Sequence, residues 1–285
     1  WSSNHRRRNP RKGFEGRQTI MTNFNTYETA WCPGCGNFSI LNCLKTALEE
    51  LGKKPNEVLM AAGICQAAKT PQYISANSFC GLHGRGIPAA IAAKIANQDL
   101  TVVVNTGDGD SYGEGGNHFI HNIRRNVDIN HFVHNNQIYG LTKGQASPTT
   151  AIGHVTPVQT DGNHNTPLNP IMLAIASGAG FVARSFSGDR GHLISMMKEA
   201  IMYPGYALID ILQPCVSFNK INTYQYYKDR VYYLDEDYDP TNKMMALEKS
   251  MEIEDSLPIG IIYKEEKPNF HQKNEVLSRG TPLLD

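Results

Sequence analysis

The sequence predicts an α/β fold, doubly wound around a mainly parallel sheet. Short β-branched runs alternate with segments of helical spacing between residues 37 and 212, and one of these runs ends in Gly107-Asp108-Gly109-Asp110. Such alternation puts parallel strands in one sheet with helices on both faces. Glycines directly after a strand let the backbone turn and approach a bulky anion with no Cβ in the way. The composition agrees: 285 residues with 40% hydrophobic side chains can bury a substantial core, and 27 acidic against 27 basic residues leave no excess charge for nucleic acid.

Residues 1–20 carry Arg6, Arg7, Arg8, Arg11, Lys12 and Arg17 against the single acid Glu15, and read as a disordered or expression-derived tail with Met21 as the native start. The Arg-rich beginning lacks the apolar stretch of a signal peptide. No run approaches the roughly 18 apolar residues of a membrane span. Six cysteines without a secretion signal point to a reducing, cytoplasmic compartment and to metal rather than disulfides.

The principal domain is read as 21–217. Phe38 to Leu51 is amphipathic and Gly52 ends it as a C-cap should, so a helix is expected over 37–51. A strand over 58–62, a helix over 86–97, a strand over 100–106, a helix over 116–125 and a strand over 129–134 follow. After a loop rich in Gly, Thr and Pro come a helix over 168–178, a strand over 180–185, a helix over 190–202 and a strand over 207–212. From Phe218 to residue 285, Tyr, Lys and acidic residues crowd together with little periodicity apart from a helical stretch near 241–252. That segment reads as an irregular C-terminal arm laid over a partner subunit.

The run Leu100 to Val104 sets Asp108 on the carboxyl edge of the sheet, where open α/β folds bind ligands. A second strand ends in Asn135-Asn136-Gln137-Ile138-Tyr139-Gly140. If the two strands are neighbours, the Asp108 carboxylate and the Asn136 carboxamide emerge side by side. Magnesium takes near-octahedral oxygen ligands and uses one or two carboxylates together with phosphate oxygens. Asp108, Asn136, a carbonyl near Ile138, two diphosphate oxygens and a water would complete the shell. The amino end of the 116–125 helix would add partial positive charge near the phosphates. Gly-Asp-Gly alone is a common turn; the preceding strand and the Asn-Asn after a second strand favour the metal.

A second constellation is Trp31-Cys32-Pro33-Gly34-Cys35-Gly36-Asn37, two thiols three positions apart on a tight turn. Cys65, Cys80 and Cys215 supply further ligands from separate loops. Iron–sulfur clusters and structural zinc both use four Cys, and the spacing does not choose between them. A thioredoxin-like dithiol would follow a strand, and the polar stretch Thr22 to Thr29 is not one. Cys43, inside the amphipathic pattern beside Leu41 and Leu44, reads as a core thiol.

The order Gly107-Asp108-Gly109 to Asn135-Asn136 resembles the diphosphate-binding half of thiamine diphosphate enzymes. With the cysteine motif before it, the chain resembles the β subunits of the 2-oxoacid:ferredoxin oxidoreductases from about Thr26 to Asn219. By that resemblance Asp108, Asn136 and the carbonyl of Ile138 hold Mg²⁺, while His83, Gly107, Gly109, Asp110, Tyr139, Gly140, Leu141 and Thr142 line the thiamine diphosphate. Cys32, Cys35 and Cys215 match three ligands of a [4Fe-4S] cluster. Family members with a full set read Gly-Ile-Gly-Cys where this chain reads Gly63-Ile64-Cys65-Gln66. Cys65 is therefore expected as the fourth ligand, with Cys80 or a non-cysteine group as rivals.

The resemblance implies oxidative decarboxylation of a 2-oxoacid, with thiamine diphosphate as electron sink. Coenzyme A takes the acyl group, and ferredoxin takes the electrons one at a time through the cluster. It also implies an α subunit that supplies the glutamate activating the cofactor, since no glutamate here stands in a comparable context. A non-oxidative thiamine diphosphate decarboxylase subunit would share the magnesium motif without needing the cysteines. A non-catalytic iron–sulfur or zinc module would need only the cysteines. Of the polar residues nearby, Asp110 reads either as an orienter of Asp108 or as an exposed turn carboxylate, and Leu141 has a buried core position as its alternative.

Overall fold

Eight strands lie side by side in the order β2-β1-β3-β4-β6-β5-β8-β7 in the computed structural model, which describes residues 23–280. The strands are β1 (Val58–Ala62), β2 (Asn77–Cys80), β3 (Thr101–Gly107), β4 (Asn130–Asn135), β5 (Phe181–Phe186), β6 (Ala207–Leu212), β7 (Val231–Tyr233) and β8 (Leu257–Lys264). The first six in chain order are mutually parallel, so the mainly parallel sheet expected from the sequence is found. The basic tail of residues 1–20 and the proposed start at Met21 lie outside the described residues.

The helices are α1 (Gly36–Glu50), α2 (Gly86–Ala96), α3 (Gly116–Arg125), α4 (Pro170–Ala176), α5 (Arg190–Met202), α6 (Tyr224–Lys228) and α7 (Lys243–Ser250). In α1 the apolar positions Ile40, Leu41, Leu44, Ala47 and Leu48 recur at helical spacing and are buried. They pack with Leu193 and Met197 of α5 on one face of the sheet, against Met60, Val103 and Phe132. On the other face Ile87 of α2, Phe119 and Ile123 of α3 and Ile171 of α4 cover Ala61, Val102, Val104 and Val133. Val103 faces one core while Val102 and Val104 face the other, the period-two alternation of a strand buried on both sides. At the end of α3, Asn126 takes the left-handed conformation of a C-cap (φ 56°).

Helices and strands predicted up to residue 212 are present within a few residues of their expected bounds. Two regions differ. The segment after Phe218, expected to be an irregular arm, carries β7 and β8, and β8 runs antiparallel beside β5. Pro258 and Gly260 interrupt its apolar run, and such residues in a strand belong at edges and irregularities. Here the register shifts between Val182 and Ala183, and Gly260 adopts φ 139°. The short β2 is exposed at every position, so it has no alternating pattern by which to be read.

Candidate functional site

β3 and β4 are hydrogen-bonded neighbours with Gly107 opposite His134, so Asp108 and the Asn135–Asn136 pair leave the sheet at the same edge. A wide π-type helical turn over Gly109–Glu114 starts directly after Asp108. The helix amino end nearest Asp108 therefore belongs to that segment rather than to α3, which begins at Gly116 as the sequence predicts. Gly109 is required by packing, because a Cβ there would lie 2.1 Å from the Tyr139 ring.

Asp108 is buried, and its Oδ2 accepts hydrogen bonds from Ser147 Oγ (2.5 Å) and Thr149 Oγ1 (2.8 Å). Thr149 Oγ1 also lies 3.0 Å from Asn135 Oδ1. Asn135 Nδ2 in turn donates to Asp210 Oδ1 at 3.1 Å, and Tyr112 OH donates to the same oxygen at 2.9 Å. Burial pushes the Asp108 carboxyl up to about 6, against the two hydroxyl donors that favour the anion. A desolvated carboxylate held by hydroxyls fits a bound cation, which would supply the charge its neighbours do not. Ser147 and Thr149 were not legible as site residues, since Ser and Thr in a Gly/Pro-rich loop carry no distinguishing signal.

Asp110 is neither an exposed turn carboxylate nor a direct partner of Asp108. It is buried, and its Oδ1 accepts from the backbone N–H of Gly84 (2.7 Å) and of Ile64 (3.1 Å). Gly63 is needed for this clamp, since a Cβ there would stand 2.3 Å from Asp110 Oδ1. The clamp draws the His83 loop toward the strand tip, leaving His83 Nε2 3.7 Å from Asp110 Oδ1. His83 Nε2 and Asp110 Oδ2 are buried without a protein partner, polar atoms that a ligand would satisfy.

The Asn136–Thr142 loop is tightly organised. Asn136 Oδ1 accepts from Ile138 N at 3.1 Å, Gln137 takes φ 58°, and Tyr139 N donates to Gln145 O at 2.9 Å. Tyr139 OH reaches Glu114 at 3.2 Å and its ring stands edge-on to His83. Leu141 is 41% exposed, which removes the buried-core alternative for it, and Thr142 is exposed beside it. His131 and His134 sit fully buried within β4, and burial pulls both imidazoles down to about 3. They are neutral at physiological pH and bond to Tyr206 and Asn37 respectively.

Cys32, Cys35 and Cys215 line one small cavity together with Gln66, Asn136 and Gly140. The Cys-Pro-Gly-Cys turn closes through Cys35 N to Cys32 O at 3.0 Å, with Gly34 at φ 81°. Gln213 Nε2 donates to Cys35 Sγ at 3.5 Å. Burial pushes the Cys35 thiol up to about 11, with Cys215 and Cys32 adding to the effect. Among the described residues no three His, Cys, Asp or Glu side chains are grouped closely enough for a single metal ion. The thiols border a common space rather than converging on a point. Because Asn136 and Gly140 also border it, this cavity and the Asp108 edge share the 136–140 loop as a wall.

Cys65 does not join them. It adopts φ 145°, and its Sγ lies 2.7 Å from where a Cβ on Gly107 would stand. Its thiol is pushed up to about 12, first by burial and then by the negative charge of Asp110 and Asp108. Cys80 is exposed at the end of β2, and Cys43 is buried in the α1 core as expected.

Two family models match the chain. Residues 57–211 match the thiamine pyrophosphate enzyme, C-terminal TPP binding domain, and residues 215–279 match the C terminal region of the pyruvate ferredoxin oxidoreductase beta subunit. The chain is 46% identical over 268 residues to the 2-oxoacid:ferredoxin oxidoreductase subunit beta of Saccharolobus solfataricus, covering 90% of this chain and 88% of that protein. It is 36% identical over 241 residues to a 2-oxoglutarate synthase subunit of Methanocaldococcus jannaschii, covering 84% of this chain and 89% of that one. Among solved structures, a 2-oxoglutarate:ferredoxin oxidoreductase from Magnetococcus marinus with 2-oxoglutarate, coenzyme A and succinyl-CoA bound superimposes with a TM-score of 0.85 at 34% identity, covering 90% of this chain and 89% of that chain.

Proposed function

The chain belongs to the β subunits of the 2-oxoacid:ferredoxin oxidoreductases, and from that membership we propose a specific division of labour among its residues. It is an oxidoreductase subunit that carries the thiamine diphosphate-binding domain and works with an α subunit. In our reading Asp108, Asn136 and the carbonyl of Ile138 hold Mg²⁺, which binds the diphosphate. Gly107, Gly109, Asp110, His83, Tyr139, Gly140, Leu141 and Thr142 line the cofactor. Cys32, Cys35 and Cys215 hold a 4Fe–4S cluster.

One observation carries this reading: a buried carboxylate at the tip of β3, fixed by Ser147 and Thr149, beside the tip of β4. When bound, thiamine diphosphate supplies the electron sink for loss of carbon dioxide from a 2-oxoacid, and the cluster accepts electrons singly. The chain's own residues do the positioning. Asp108 is pre-set by two hydroxyls, so little reorganisation accompanies metal binding. The Asp110 clamp on Gly84 brings the unpartnered His83 Nε2 to the same edge. The wall shared by loop 136–140 keeps the cysteine cavity next to the cofactor, as electron transfer requires.

That cysteine cavity also favours the oxidative reaction over a non-oxidative decarboxylase, which has no use for it. Coenzyme A takes the acyl group and ferredoxin the electrons, in the cytoplasm. The α subunit supplies the activating glutamate. Exposed apolar residues on the C-terminal extension 218–285, with Met244 at 73% and Tyr233 at 60% exposure, support its packing on that subunit. No helix among the described residues is long and apolar enough to cross a membrane.

The test is turnover by the anaerobic αβ complex against a panel of 2-oxoacids, with coenzyme A and a one-electron acceptor. Acyl-CoA should form only when the acid, coenzyme A and the acceptor are all present, and β alone should be inactive. Carbon dioxide release at full rate without acceptor or coenzyme A would assign a decarboxylase instead.

A further inference from the structure

We infer that the fourth corner of the iron–sulfur site in this chain is the Gln66 carboxamide and not a cysteine thiolate, which leaves one iron of the cluster held by an oxygen ligand and removable. The inference rests on the reading of Cys32, Cys35 and Cys215 as cluster ligands, and deepens it.

The backbone after β1 decides which side chain faces the cysteines. Asp110 Oδ1 grips the N–H of Ile64 at 3.1 Å, fixing the chain one residue before Cys65. Cys65 then takes φ 145°, a region that L side chains rarely adopt and glycine adopts freely. This turns its thiol toward Gly107 and away from the cavity. Gln66 returns to ordinary helical backbone (φ −68°, ψ −36°). Its carbonyl accepts from Trp31 Nε1 at 2.8 Å, tying it to the residue before Cys32. Gln66 lines the cavity of the three cysteines, and its Oε1 is buried with no hydrogen-bond partner.

A buried, unpartnered carbonyl oxygen is destabilising unless something satisfies it. An iron at the fourth corner would do so. Carboxamide oxygen is a hard donor, whereas thiolates are the soft ligands that iron–sulfur clusters select. The iron opposite Gln66 is therefore the weakly held one. One-electron oxidation by ferricyanide, itself reduced to ferrocyanide, should release that iron as Fe²⁺ and leave a cluster of three irons and four sulfides.

The experiment compares the native αβ complex with its Gln66→Cys and Cys65→Gly variants, all purified anaerobically. Iron and acid-labile sulfide are measured before and after ferricyanide with a chelator, and the three-iron product is followed by paramagnetic resonance. The native complex should lose roughly one iron in four without losing sulfide. Gln66→Cys should resist the same treatment. Cys65→Gly should keep native iron, sulfide and lability, and should melt no lower, since glycine accepts φ 145° without strain. Loss of the cluster in a folded Cys65→Gly complex would make Cys65 the ligand and overturn the inference. So would a native cluster that resists as fully as Gln66→Cys. Absence of sulfide from the native complex would instead remove the cluster reading on which the inference stands.

Discussion

The Asp108 edge and the cysteine cavity share the 136–140 loop, yet they are built by different means. Asp108 and Asn136 are placed by the register of two neighbouring parallel strands, and the buried groups behind them are joined in series through Thr149, Asn135, Asp210 and Tyr112. Such connected buried polar groups specify one arrangement. The cysteines come from the turn before α1 and the loop after β6, border a space rather than meeting, and leave Gln66 Oε1 and Gln213 Oε1 unpartnered. A site on strand tips is fixed by the sheet, whereas a site on loops is fixed by single backbone angles. A shift of one residue can therefore change the chemistry of the loop site and leave the strand-tip site untouched.

If the two regions are separable in this way, the largest effect belongs to the loop site. Cys35→Ala should reduce iron and sulfide in the αβ complex to background while thiamine diphosphate content stays near native, as metal and cofactor analysis of one preparation would reveal. Equal loss of both groups would break the distinction. A core substitution should move the two sites together. Phe119 is fully buried against Tyr112, His131 and Tyr206, so Phe119→Ala should destabilise the chain by about 3–5 kcal/mol in denaturant unfolding. A loss below about 1 kcal/mol would mean that the α3 face relaxes far more easily than close packing implies.

The third effect depends on pH and is smaller. The Asp108 carboxyl is raised to about 6, so magnesium must compete with a proton below that pH. Magnesium-dependent thiamine diphosphate affinity should be flat above pH 6 and fall up to about tenfold per unit below it, or about 1.4 kcal/mol. His131 and His134 carry the opposite shift. Their folded values near 3 lie below the ordinary 6.5, so the stability they contribute is complete above 6.5 and declines as pH falls. Calorimetric titration of cofactor and thermal melting, run on the same pH series, separate these contributions. An affinity unchanged between pH 7 and 5 would remove Asp108 from the metal.

The same contrast governs how much could be read from the sequence. Apart from β2, the order of strands and helices to residue 212 was legible because apolar periodicity reports burial directly, and the placement of Asp108 and Asn136 at one edge of the sheet was legible because each follows such a strand. Ser147 and Thr149 were not, since long-range contacts alone bring them to Asp108. Neither role read for Asp110, orienter of Asp108 or exposed turn carboxylate, is the observed one, because a turn motif does not disclose that two backbone N–H groups will clamp its carboxylate. β8 was hidden by Pro258 and Gly260, which suppress strand signals even where a strand can tolerate them. Cys65 was expected in the cluster because residue type is visible in a sequence, whereas the positive φ that turns its thiol away is not.

The central claim is that the tips of β3 and β4 hold the metal on which thiamine diphosphate depends. Its most direct test is the cofactor content of the αβ complex carrying Asp108→Ala, with iron and sulfide measured in the same sample. Magnesium-dependent thiamine diphosphate should fall to background while iron and sulfide remain at native levels. Native thiamine diphosphate content in a folded Asp108→Ala complex would contradict the claim.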